Sequence, residues 1–548
     1  MADAPPRPPR LRAPVHSGEL LARPALDRLP KLLLANQLMV GGAATLNLQG
    51  RSLTQLREAT RIAAGRLAAA YTLNATGVDL PALSGSETLL VTGHQPELFH
   101  PGVWAKNFAV AGMADAASGR GINLIIDNDL AKRPGFSVPV GPRDAPQLER
   151  VSLVDSPDAR PWEELLLDNL RRFGQIGERV TRQIEHEWGF RPILGACWSD
   201  AVAAADSQPR LADILSTMRV RQEQRWGLRN LELPLSQLEE TEPFRWFASH
   251  LFAHANDFAA VYNSSLEDFR REQRIRSRSH PVPALARRGE WVETPFWMWR
   301  AGSTQRGPLY CRPAGTRIEL GTGSGRLASI RLQREADACC AVEDLARLSS
   351  EGWRIRSRAL TTTMFLRLFL ADLFVHGIGG AIYDQLGNRI LERFFGCPAP
   401  TFLTLTATLQ LPLHPFDATS AELRTAERRL RDMRFNPDRY TTGPEVRGLA
   451  VEKRDLAALQ SSDADSTLPA SQKRRVRRER HLRIRAINDA IAGHDSELRA
   501  ATARHIETLR DQLAANQLLA SREYAWCLFP EDELSGLVRR IGFECDRR

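Results

Sequence analysis

Glu87–Leu130, ETLLVTGHQPELFHPGVWAKNFAVAGMADAASGRGINLIIDNDL, reads as strand, loop, helix, strand. Glu87–Thr92 is a short apolar run that stops at Gly93. Gly93-His94-Gln95-Pro96 and His100-Pro101-Gly102 form a polar loop. Val103–Ala117 has helical spacing, Gly119–Gly121 ends it, and Asn123–Ile126 is a second strand closed by Asp127-Asn128-Asp129. A unit of this length implies a parallel pair with a right-handed crossover. In such sheets ligands bind beyond the carboxyl ends of the strands. Both the Gly93-His94-Gln95 loop and the Asp127-Asn128-Asp129 tip fall at that edge. Lys106 is expected on the first helical turn, where the helix N-terminus favours an anion. His94, Lys106, Asp127 and Asp129 are therefore the catalytic candidates of this segment. Gly93, Gln95, His100, Gly102, Asn107 and Asn128 are its binding candidates. The plainer alternative is an ordinary strand–helix–strand unit whose histidines cap backbone groups.

Lysine is rare in this chain, confined to Lys31, Lys106, Lys132, Lys453 and Lys473, so a lysine beside an anion site stands out. Asp127 and Asp129, two apart on extended backbone, would point the same way. Such a pair can hold Mg²⁺, bind an amine or a ribose hydroxyl, or act as a base. A second motif, HGIGGAIYDQ, begins at His376. Its glycines permit tight turns and exposed amides that clasp an anion. Tyr383 and Asp384 are expected to open the helix that follows. His376 joins the catalytic candidates; Gly377, Gly379, Gly380, Tyr383 and Asp384 join the binding set. Two glycine-and-histidine loops in one chain are expected to converge on one cleft.

The remaining patterns bound the answer. At 548 residues, 43% hydrophobic and 25% charged, two or three globular domains are expected. No run of about 18 apolar residues exists, which excludes an expected transmembrane helix. MADAPPRPPRLRAPVH has no apolar core, so it is not read as a secretory signal. Seven scattered cysteines without a CxxC pair fit reduced thiols in a cytoplasm. The net charge of +9 points to acidic partners without choosing among them. P-loop, nucleophile-elbow, HExxH and kinase patterns are absent from the sequence.

Four regions follow. Residues 1–30 are expected to be a disordered lead. Residues 31–415 form an α/β core of doubly wound parallel sheet, carrying a connecting insertion over about 141–345. That insertion holds His280-Pro281-Val282-Pro283, read as a linker or a lid, and ETPFWMWR, read as a strand with an aromatic face. Residues 416–522 are expected to form an antiparallel helical hairpin with coiled-coil packing. Its first arm carries Leu423, Ala426, Leu430 and Met433, Thr441–Gln472 is a polar break, and Gln472–Arg522 is the second arm. Residues 523–548 are too apolar for a tail and are expected to fold back on the core. The run Lys473–Arg485 is a candidate RNA or phosphate patch, but it lacks interleaved aromatics and reads better as a solvated helix face.

Taken together, VTGHQPELFHPGVWAKNFA, LIIDND, HGIGGAIYDQ, PTFLTLTATLQLPL and the helical hairpin resemble the bacillithiol biosynthesis cysteine-adding enzyme (BshC) family. The resemblance runs in order from about Glu87 to the C-terminus and is clear at the motifs. It implies a Rossmann-like core related to nucleotidyltransferases and a coiled coil used in dimerisation. It matches Gly93, His94, Gln95, Gly102 and Lys106 to the family's first pocket motif, and His376 to Asp384 to its second glycine-rich turn. Asp127-Asn128-Asp129 stands where the family has an EDHD-like strand end, so the implied relationship is that of a divergent member. The expected function is a cytoplasmic ligase-type enzyme joining an amino acid, with cysteine as the family's donor, to the amine of a small polar or sugar-like acceptor. ATP or ADP and Mg²⁺ are the cofactor candidates, and a homodimer through the hairpin is the expected assembly. The rivals are a nucleotidyltransferase-like enzyme on the same core and a non-catalytic scaffold or RNA-binding protein using the basic hairpin.

Overall fold

The structure, a computed structural model, describes residues 11–155, 158–304, 306–462 and 469–546. Contacts divide the chain into two units. One comprises Met1–Val138, Glu149–Leu411 and Arg522–Arg548, and the other Pro139–Leu148 and Pro412–Ser521.

Two six-stranded sheets dominate the first unit among the described residues. In chain order their strands are β1 (Leu20–Arg23), β2 (Leu89–His94), β3 (Arg120–Ile125), β4 (Leu231–Pro234), β5 (Arg287–Arg288), β6 (Trp291–Arg300), β7 (Gly307–Ala314), β8 (Arg317–Gly321), β9 (Arg326–Arg331), β10 (Trp353–Ser357), β11 (Leu373–His376) and β12 (Phe402–Ala407). The first sheet runs β1-β12-β11-β2-β3-β4. All its pairings are parallel except that of β1 with β12. The second, β5 to β10, is antiparallel.

The apolar character of β2 and β3 explains their central place. Leu89, Leu90, Val91, Ile122, Leu124 and Ile125 are all buried, as strands covered on both faces require. Helix α1 (Leu53–Thr76) starts at a capping box formed by Ser52 and Gln55 and stops at left-handed Gly77. Helix α2 (Pro101–Ala116) joins β2 to β3 and packs against the C-terminal helix Glu531–Asp546. A Cβ on Gly102 would lie 2.2 Å from the Ala407 carbonyl, so glycine is what lets α2 start against β12. Helices α3 (Leu211–Arg225), α4 (Ala255–Gln273), α5 (Ala359–Phe365) and α6 (Ile378–Ile390) complete the parts that matter for the site. One apolar cluster joins the two sheets, from Val91 through Phe247 and Phe252 to Leu320 and Ile330. No helix among the described residues is long and apolar enough to cross a membrane.

Four expectations are corrected. Strand β1 lies within the expected disordered lead, of which only residues 1–10 fall outside the described residues. Strand β4 lies within the expected insertion yet forms an edge of the first sheet, because LELP is buried throughout and pairs with β3. Helix α6 opens at Ile378, so the glycine-rich stretch is its first turn and Tyr383 and Asp384 stand in its interior.

The fourth correction concerns the second unit, which is helical: α7 (Ser420–Phe435), α8 (Pro444–Ser462), α9 (Ala470–Gly493) and α10 (Ser496–Leu519). The expected polar break thus contains a helix, while residues 463–468 of it lie outside the described residues. The expected second arm is two helices, since Asp495 caps α10 by accepting from the Leu498 amide. Ala426 packs with Ile506 and Leu509, and Val446 with Ile487 and Ile491. Pro139–Leu148 belongs here because Arg143 donates to the His414 carbonyl and lies 4.1 Å over the Phe416 ring.

Candidate functional site

Strand β2 continues through α2 to β3 on one side of it, while β11 continues through α6 to β12 on the other. The connections leave these adjacent strands in opposite directions, the arrangement that opens a crevice at their carboxyl ends. A cavity of about 360 Å³ lies there. Gly93 from the end of β2, Asn128 and Asp129 after β3, and His376 from the end of β11 all line it. Gly93 of the first motif and His376 of the second therefore meet here, while His94 and His100 do not line this cavity.

His376 is buried and donates from Nε2 to Asp384 Oδ2 at 2.8 Å. Asp384 also accepts from Arg367 at 2.7 Å and Thr363 at 2.8 Å. Burial pushes the Asp384 carboxyl up, but Arg367 and these hydrogen bonds hold it down at about 2. Burial lowers the His376 pKa against the opposing pull of Asp384. At neutral pH the pair is thus a carboxylate and a neutral imidazole, with the proton on Nε2; Nδ1 is the acceptor nitrogen and has no partner among the described residues. A Cβ on Gly380 would lie 2.8 Å from that Nδ1, so glycine leaves room for the ring.

The facing wall comes from the second sheet and its flanks. Arg306 and Arg358 lie 4.6 and 4.1 Å from the Trp297 ring centre, within cation–π range. Arg306 donates to the Asn128 carbonyl at 3.0 Å and to Asp129 Oδ1 at 3.2 Å. Arg358 donates to Glu293 at 2.6 Å, while its buried Nε has no partner among the described residues. The buried hydroxyl of Thr361, on α5, is likewise unpartnered among them. Asp129 accepts from Gln95 Nε2 at 2.7 Å and from the Leu130 amide at 2.8 Å, yet its side chain stays 47% exposed.

Other sequence candidates are turned into the protein. Lys106 is the sixth residue of α2, not part of its first turn, and Nζ donates to the Gly93 carbonyl at 2.8 Å. Burial lowers its pKa to about 8. Asp127 and Asp129 do not point the same way, because the Asp127 amide turns back onto the Ile125 carbonyl at 2.9 Å. The Asp127 carboxylate accepts from the Ser236 amide and hydroxyl, and burial, with Glu163 adding, pushes its pKa up to about 7. Behind the sheet, His94 donates from Nε2 to Asn107 Oδ1 at 3.3 Å. Asn107 and Trp104 donate to Glu223, and Arg219 bridges Glu223 and Glu232. Burial first, then Arg219 and Lys106, keep His94 neutral.

His100 caps α2 by accepting from the Gly102 amide at 3.1 Å and lines a separate cavity with Glu97 and Arg150. Tyr383 packs near His280, at 5.9 Å between rings. Gly377 caps α6, and Gly379 has open space beside it.

Among the described residues no group of three or more His, Cys, Asp or Glu side chains is placed to hold a metal ion. With Asp127 taken by Ser236, a Mg²⁺ here would depend on oxygens of a bound substrate. Arg306, Arg358, Trp297 and Thr361 escaped the sequence reading. Arginine carries no signal in an arginine-rich chain, and ETPFWMWR was read as a strand with an aromatic face, not as part of a site. Val282 and Pro283 of the HPVP segment also line the cavity. No family model matches this chain, and neither does any curated protein.

Proposed function

We propose that this chain is a BshC-like, ligase-type enzyme that joins an amino acid to the amine of a small polar or sugar-like acceptor. The observation that carries the reading is that Gly93 and His376, one from each motif, line a single cavity at the switch point of the sheet. On this reading the first sheet is a Rossmann-like core. The proposed assembly is a homodimer through the helical unit α7 to α10, whose apolar seams pack within the chain. The protein works in the cytoplasm.

The chemistry asked of the residues is modest. The acceptor nitrogen attacks the carboxyl carbon of the amino acid, a C–N bond forms, and a carboxyl oxygen departs. ATP, when bound, supplies the activation that makes that oxygen a leaving group. His376 Nδ1 takes the proton from the attacking nitrogen, and Asp384 stabilises the imidazolium that results. Arg306 and Arg358 offset negative charge on the carboxyl oxygens.

The test is mass spectrometry of wild-type protein incubated with amino acids, ATP and amino-sugar acceptors. A condensed product is expected, reduced about 10²–10⁴-fold by His376→Gln, the range of a lost general base. Pyrophosphate released without a condensed product would instead indicate nucleotidyl transfer.

A further inference from the structure

The cavity carries charge of both signs on an apolar wall, and this selects among amino acids. Asp129 is its carboxylate. Leu130 and Arg306 both donate to Oδ1, whereas Oδ2 accepts only from Gln95 among the described residues. A carboxylate oxygen has two lone-pair sites, so Oδ2 has room for one more donor. Arg358, which lines the cavity and donates to Glu293 at 2.6 Å, supplies the opposite charge. Between these two charges the wall is mostly hydrocarbon: Tyr262, Val282, Pro283, Leu360, Leu366 and Phe374.

We infer that the amino-acid subsite of this cavity takes a large apolar or aromatic α-amino acid as its zwitterion. The α-ammonium meets Asp129 Oδ2, the α-carboxylate meets Arg358, and the side chain covers the apolar wall. A volume of about 360 Å³ falls in the range of ligand pockets. A cysteine side chain, with one sulfur beyond Cβ, would leave most of that wall uncovered. Burying the larger side chain adds the hydrophobic contribution that cysteine lacks. The inference rests on the ligase reading for its setting, but the two fail separately.

Isothermal titration of the full chain with four probes tests it: L-phenylalanine, L-cysteine, 3-phenylpropanoate and 2-phenylethylamine. L-Phenylalanine is expected to bind at least tenfold more tightly than each of the others. In Asp129→Asn the gap between L-phenylalanine and 3-phenylpropanoate closes to within about threefold, a change that general loosening of the fold would not produce. Arg358→Lys keeps a cation beside Glu293 and weakens L-phenylalanine and 3-phenylpropanoate at least tenfold, with 2-phenylethylamine unaffected. Equal binding of L-cysteine and L-phenylalanine, or no binding of any probe, overturns the inference. If cysteine is condensed and phenylalanine is not, the inference falls and the ligase reading stands. If phenylalanine binds through both charges but is never condensed, the inference stands and the ligase reading falls.

Discussion

The ends of β2 and β11 are neighbours, yet their polar residues are placed in opposite ways. On the β2 side Lys106 holds the Gly93 carbonyl, Asp127 holds Ser236, and His94 rests on Asn107 above the Glu223–Arg219–Glu232 network. On the β11 side His376 is oriented by Asp384, its Nδ1 has no partner among the described residues, and the facing wall brings Arg306 and Arg358 to the cavity. Groups that already satisfy one another build the sheet edge. Groups that line the cavity are the ones a ligand can meet.

The largest effect that would break this contrast is expected from Arg219→Met. It removes the cation between two buried carboxylates and should destabilise the fold by about 3–5 kcal/mol, read by urea denaturation. A loss below about 1 kcal/mol would mean that the β2 network is not the scaffold described. Next comes Gly102→Ala. Its Cβ would meet the Ala407 carbonyl, and overpacking of this kind costs about 1–3 kcal/mol.

The contrast also has a pH signature. Burial lowers the Lys106 pKa to about 8, from 10.5 for a lysine in water. Between those values the unfolded chain binds a proton that the folded chain does not, so stability rises with pH. This contribution is complete above the unfolded pKa and is lost as pH falls through about 8. The difference in urea midpoint between pH 8 and pH 10 should therefore shrink in Lys106→Met; an unchanged difference would place the ammonium in water. The smallest effect is on the β11 side. Gly379→Ala adds a methyl to open space in a helix and should stabilise by about 0.5–1 kcal/mol. A loss there would show that the turn is more crowded than this placement allows.

The strand–loop–helix–strand unit was legible because its apolar runs and glycine breaks are local. The meeting of Gly93 with His376 was also legible, since a switch point follows from parallel strands whose connections diverge, but the loop after Gly93 lines the separate cavity through Glu97 and His100. The split within the motif was not. Lys106 and Asp127 look like site residues in sequence, and only the fold shows that the Gly93 carbonyl and Ser236 take them up. Arg306 and Arg358 were hidden for the opposite reason. They reach the cavity from a second sheet that begins almost 200 residues after β2, and arginine is too common here to attract notice. The helix within the expected break at Thr441–Gln472 was obscured by Gly443-Pro444, which introduces α8 instead of interrupting a longer helix.

The central claim is that the cavity between the ends of β2 and β11 is where this protein meets its substrate. Crystals of the wild-type chain soaked with L-phenylalanine test it most directly. The account predicts electron density with one end at Arg358, the other at Asp129, and the ring against Leu366 and Phe374. Density confined to the separate cavity beside Glu97, His100 and Arg150 would contradict it.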